Sequence, residues 1–131
     1  MTARKINKIQ SPMLFETSFD IADLGNSIEI DVPPGFVLLK ATVAVRTAFD
    51  GTTPTIGVVD NKSSPTTIIA ATTDLTAAAE TESAAGPNYT TYPSGGVITA
   101  ALAGGAGATV GAGAFIVQGY IEGRQTERYG T

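Results

Sequence analysis

The sequence predicts an all-β chain: an antiparallel β-sandwich, jelly-roll-like, of about eight strands, with extended N- and C-terminal arms. Three observations point there. Thr, Val and Ile supply 39 of 131 residues, and β-branched side chains favour pleated, half-buried surfaces. No window holds a sustained i, i+3, i+4, i+7 apolar stripe, so amphipathic helices are not expected. Short apolar or alternating runs recur between Gly and Pro turns, as in a two-layer β domain. Leu, Ile, Val and Phe number 31 of 131 against a net charge of −4, a balance found in folded rather than disordered chains. The length is that of one domain, divided here as an arm at 1–13, a sandwich at 14–122 and an arm at 123–131.

Taken in order, residues 1–13 are polar and basic, with isolated Ile6 and Ile9 and a closing Ser11-Pro12. Residues 14–20 (LFETSFD) form a first strand, and 21–26 a turn around Gly25. Residues 27–32 alternate, Ile28, Ile30 and Val32 inward, Glu29 and Asp31 outward. Pro33-Pro34-Gly35 then forces a reversal, because proline fixes φ and glycine tolerates positive φ. The longest strand follows at 36–49. Its odd positions Val37, Leu39, Ala41, Val43 and Val45 are apolar throughout; the even ones begin apolar at Phe36 and Leu38 and turn mixed at Lys40, Thr42, Ala44 and Arg46. A period of two sets one row against a core and the other on the far face.

Asp50-Gly51 is a strong turn dipeptide and ends that strand. Residues 55–59 make a short strand, 60–65 (DNKSSP) an exposed loop, and 66–71 a strand around Ile68-Ile69. Residues 74–86 read as a loop over one end of the sheets, or as a single helical turn through the Ala run capped by Asp74. Strands at 88–92, 97–103 and 114–122 complete the chain. Thirteen of the 19 residues from Gly95 to Gly113 are Gly or Ala. Such a tract serves as a connecting loop, or as a loop that settles only against a partner surface.

The residue types that are missing narrow function further. With no His, the commonest general base and metal ligand near neutral pH is gone. With no Cys, thiolate nucleophiles, disulfides and thiolate metal sites are excluded. Glu29 and Asp31 share one strand face, whereas a glycosidase pair faces across a cleft from different elements. Asp20 with Asp23, and Asp50 with Asp60, suggest calcium by composition, yet the spacing of an EF-hand loop is missing. The Gly tract matches neither phosphate-binding glycine motif. We read the chain as a non-enzyme without cofactors or metals. The first 20 residues lack the apolar core of a signal peptide, and no apolar run approaches membrane-spanning length, so neither Sec-type export nor a membrane partner is expected.

Charge is laid out unevenly. Residues 1–8 carry Arg4, Lys5 and Lys8 with no acid. Residues 9–123 hold eleven acids against Lys40, Arg46 and Lys62, and the final eight residues add Arg124 and Arg128 against Glu127. An acidic body with basic ends does not suit direct nucleic-acid binding, because no basic face gathers on the folded part.

The stretches FDIADLGNSIEIDVPPGFVLLKATVAVRTAFDGTTPTIGVVDN, PSGGVITAALAGG and GAGAFIVQGYIEG resemble small virion proteins of tailed bacteriophages, in particular capsid decoration (cement) proteins built on a jelly-roll-like β-sandwich. The shared pattern is a strand, a Pro/Gly reversal, a long strand ending in AFDG, a short TIGV strand, and a terminal strand after a Gly/Ala hairpin. The resemblance implies a structural protein on the capsid exterior, made in the host cytoplasm, working as a homodimer or homotrimer with the major capsid protein as partner. Arg4, Lys5, Lys8, Arg124 and Arg128 would meet acidic capsid surface, and Ile6 and Ile9 shallow apolar pockets. A tail, fibre or baseplate component is the alternative. A carbohydrate-binding module, stacking sugars on Tyr89, Tyr92, Tyr120 or Tyr129, is disfavoured by the lack of Trp.

Overall fold

The computed structural model describes residues 12–122. Among them nine strands follow in chain order: β1 Met13–Asp20, β2 Ser27–Val32, β3 Phe36–Thr47, β4 Thr55–Asp60, β5 Thr67–Asp74, β6 Glu80–Glu82, β7 Thr91–Tyr92, β8 Gly96–Ala103 and β9 Ala112–Ile121, with a single 3-10 turn at Ile21–Asp23. One sheet has the order β1-β9-β3-β6, with β7 also on β3; the other has the order β2-β8-β4-β5. Every pairing is antiparallel.

The pairs β1·β9, β2·β8, β3·β6 and β4·β5 are nested, as though one long hairpin with its tip between β4 and β5 had been wrapped around itself. The contacts β3·β9 and β4·β8 then close each sheet. That wrapping is a jelly roll, as expected from the sequence. It sorts the connections to two ends. Loops 21–26, 48–54, 75–79 and 104–111 gather at one end. Turn 33–35, loop 61–66 and segment 83–95 lie at the other. Because Met13 stands opposite Gly119, the chain also enters and leaves the described fold at this second end.

The core lies between the sheets. Phe19, Phe36, Leu38, Val43, Phe115 and Val117 come from the first sheet, and Ile30, Ile56, Val58, Ile68, Ile98 and Leu102 from the second; all are buried. Close-packed interiors of this kind leave no slack for added atoms. On β9 the inward positions include Gly119, where any Cβ would collide with the Phe36 ring and the Val37 carbonyl. Glycine there leaves the space that the Phe36 ring occupies.

The core row of β3 is not the continuous odd series. Phe36 and Leu38 face the core, and so do Ala41, Val43 and Val45. Parity changes at Leu39, where two residues of β3 oppose one of β9 between Leu38↔Gly119 and Lys40↔Gln118. This is a β-bulge, which inserts one residue and resets alternation. The early apolar even positions therefore belong to the same interior row as the later odd ones. A second irregularity at Arg46 precedes the last pair of β3.

Two further expectations are revised. Segment 74–86 contains no helix: β5 runs on through Asp74, and β6 pairs Thr42–Ala44 of β3. Asp74 caps a turn instead, accepting from the Thr76 N–H at 2.9 Å and the Thr76 hydroxyl at 2.7 Å. The expected strand at 88–92 shrinks to Thr91–Tyr92, since residues 85–89 form a turn. The Gly/Ala tract is fixed within the chain. Thr52 bridges Ala106, and Asp50 accepts from the Thr109 N–H at 2.6 Å, the Thr109 hydroxyl at 2.5 Å and the Val110 N–H at 3.0 Å. Those bonds, the Thr109 hydroxyl first, hold the Asp50 carboxyl down to about 2.

Candidate interaction surface

The acids that stood out in the sequence serve the fold. Asp20 and Asp23 cap each other's backbone around the 3-10 turn: the Ala22 N–H donates to Asp20 and the Asp20 N–H to Asp23, both at 2.9 Å. Asp50 and Asp60 sit at opposite ends of the sandwich, at either side of β4, and cannot share an ion. Asp60 is 3% exposed. Its carboxylate accepts from the Tyr92 hydroxyl at 3.0 Å, the Thr66 N–H at 2.8 Å and the Lys62 N–H at 3.3 Å. Since Asp60 ends β4 and Tyr92 ends β7, this bond ties the two sheets together. Lys62 covers the Tyr92 ring with its ammonium 4.8 Å from the centroid. Burial, then the bond to Asp60, then the negative charge of Asp60 raise the Tyr92 phenol far above its ordinary value.

Of the tyrosines considered as a sugar platform, Tyr92 is therefore core, Tyr120 is half-buried on the outer face of β9, and Tyr129 lies outside the described residues. Only Tyr89, among the described tyrosines, projects into solvent. The side chains do not form one stacking surface, because Tyr92 is drawn inward by Asp60.

What remains is surface. The outer face of the β1-β9-β3-β6 sheet carries Leu14, Glu16, Ser18 and Asp20 from β1, Ala112, Ala114, Ile116 and Gln118 from β9, and Lys40, Thr42 and Ala44 from β3. A cleft of about 400 Å³ opens there toward the loop cluster, walled by Glu16, Asp20 and Asp23 on one side and Arg46 on the other, with Ala112 and Ala114 as its floor. Lys40 and Glu82 form an exposed ion pair at 3.4 Å, the one salt bridge among the described residues; such a pair contributes little to stability. At the opposite end Leu14 and Tyr89 stand out as exposed large side chains.

The residues singled out for partner contact, Arg4, Lys5, Ile6, Lys8, Ile9, Arg124 and Arg128, lie outside the described residues. The fold nevertheless fixes where their segments attach. Both join at the end that carries Leu14 and Tyr89, one at Pro12 and the other after Glu122. Leu14 was not legible as a surface residue beforehand, and Tyr89 stood out only as one of four tyrosines that could stack on sugars. Leu14 reads as an ordinary strand position, and Tyr89 gains meaning only from its backbone geometry.

No protein-family model matches the sequence, and no curated protein does so. Among solved structures, the fold is similar to a chain described as "Capsid of Ralstonia phage GP4", with a TM-score of 0.58 and 20% sequence identity over 95% of this chain and 92% of that one. At that identity the likeness is one of fold: this chain shares, over nearly its whole length, the jelly-roll sandwich of a chain found in a phage capsid.

Proposed function

We propose that this chain is a structural virion protein of a tailed bacteriophage, a capsid decoration or cement protein that sits on the outside of the head and links neighbouring major capsid subunits. The observation that carries the reading is the whole-length likeness to a chain of a phage capsid, covering 95% of one and 92% of the other. Near-equal coverage means that the two chains are of similar size, so the likeness spans the whole jelly roll and not a fragment of it.

The charge layout supplies the mechanism. The described residues carry eleven acids and three bases, whereas five cations lie in the two terminal segments. Those segments join the sandwich at one end, and in this reading Arg4, Lys5, Lys8, Arg124 and Arg128 meet acidic surface on adjacent subunits while Ile6 and Ile9 take shallow apolar pockets. Each contact is modest. Repetition on a symmetric lattice, and pairing of copies as a dimer or trimer, turns modest contacts into avidity.

The test is co-sedimentation of purified protein with shells of the same phage that lack it. The full chain pellets with the shells, less so as salt is raised from 0.15 to ~0.5 M. A chain lacking residues 1–12 keeps its thermal midpoint and stays in the supernatant. Unchanged pelleting of that truncation would sink the role given to the N-terminal arm.

A further inference from the structure

We propose that Tyr89 is an anchor side chain of the surface that seats this protein on its partner, entering an apolar pocket whose rim carries acids. The inference deepens the reading above and takes the shell protein as the occupant. Its starting point is a residue that neither the backbone nor the core explains. Tyr89 has φ of 69°, in the left-handed region that bulky residues avoid. The backbone needs that conformation. It lets the Tyr89 N–H donate to the Leu38 carbonyl at 2.6 Å while the Leu38 N–H donates to Thr90 at 2.9 Å, carrying the chain back onto β3. Glycine or asparagine satisfies such a turn with less strain. Instead the position holds an aromatic ring that is 69% exposed.

The turn around it is firmly held. The Ser83 hydroxyl donates to Asn88 Oδ1 at 2.7 Å, and the Thr90 N–H and hydroxyl both donate to the Pro87 carbonyl, at 3.2 and 2.5 Å. Ser83 in turn accepts from the Ala41 N–H at 3.0 Å. The ring is thus presented from a rigid base, and it pairs with no other aromatic ring among the described residues. Backbone strain kept for the sake of an exposed side chain marks a contact site, and exposed Tyr is among the residues that dominate binding energy once buried in a partner.

Its location points to the occupant. Tyr89 lies beside β3 at the end where the chain enters and leaves the fold, and Leu14, 59% exposed, lies on β1 at the same end. Tyr89 lies on the β7 side of β3, so three strand spacings, roughly 14 Å, separate it from β1, still inside the footprint of an ordinary protein interface. The segments that carry Arg4, Lys5, Lys8, Arg124 and Arg128 in the sequence join the fold at this end, so an apolar pocket with acidic surroundings is complementary to it in chemistry.

The full chain and its Tyr89→Gly, Tyr89→Ala and Tyr89→Phe variants distinguish the possibilities, with thermal midpoint and affinity for shells measured for each. Tyr89→Gly is expected to melt at or above the parent temperature and to bind at least ~10-fold more weakly. Tyr89→Ala should lose the same affinity, and Tyr89→Phe should bind within ~3-fold of the parent. Undiminished binding by Tyr89→Gly, with the parent still binding, overturns the anchor alone. A lowered midpoint in Tyr89→Gly also overturns it, since the ring would then be supporting the fold. Loss of self-association at unchanged shell affinity overturns the shell as occupant. If the parent chain itself fails to bind shells, the functional reading falls.

Discussion

Replacing Tyr92 with Phe removes one oxygen from a buried position and leaves the ring packing in place. The ring is 1% exposed and lies 6.3 Å from Phe36, so no cavity forms. What is lost is the hydroxyl donated at 3.0 Å to the buried Asp60 carboxylate. A hydrogen bond to a charged group is worth ~1.5–3 kcal/mol. Asp60 keeps its bonds from Thr66 and Lys62, so about 2 kcal/mol is expected, or roughly 8 °C in thermal midpoint for a domain of this size. Asp60→Ala strands the Tyr92, Thr66 and Lys62 donors together and should cost at least ~3 kcal/mol. Urea unfolding of both single variants and the double variant measures the coupling. The pH dependence gives an independent check. An unfolded tyrosine ionises near ~10, whereas folded Tyr92 holds its proton to higher pH. Above that value the native state binds more protons than the unfolded one, so stability falls as pH rises. The gap between parent and Tyr92→Phe should therefore be full below about pH 10 and narrow above it. A Tyr92→Phe variant within ~0.5 kcal/mol of the parent, with no such narrowing, would refute the bond's role in joining the sheets.

Three other outcomes follow from particular contacts. Deleting Leu39 takes out only the inserted residue and leaves Phe36, Leu38, Ala41 and Val43 in one alternating inward row, so the chain should keep its core and lose less than ~1.5 kcal/mol in urea titration, as should half-buried Leu39→Ala. Gly57→Ala places a Cβ 2.5 Å from the Ala71 Cα, which should cost ~1–3 kcal/mol and be partly restored by Ala71→Gly. Asp50→Asn should speed hydrogen exchange at the Thr109 and Val110 amides. In the parent the same protection is complete above the ordinary carboxylate value and disappears as pH falls toward about 2, where Asp50 takes up its proton.

The strands of this fold were largely legible because seven of them carry either clean alternation or a β-branched run between Gly and Pro turns. Those signals are local. The Leu39 bulge was not legible, since an inserted residue leaves an apolar stretch such as FVLLKA equally apolar in either register. Strand β6 was hidden for a similar reason. Glu80-Thr81-Glu82 has weak strand propensity and exists because the edge of β3 at Thr42–Ala44 is open to receive it. The carboxylates illustrate the limit on reading a site: Asp23, Asp50 and Asp60 look like candidate ligands in one dimension, yet each accepts from donors that the turns bring round. Tyr89 became interpretable only with its φ in hand.

Copy number in purified virions, measured by quantitative mass spectrometry against the major capsid protein, bears on the function most sharply. A decoration protein that links subunits across the lattice must be present in hundreds of copies, in simple ratio to the capsid subunit. A dozen copies or fewer would contradict that role and move the protein to the tail, a fibre or the baseplate, and absence from virions would contradict a structural role in the particle altogether.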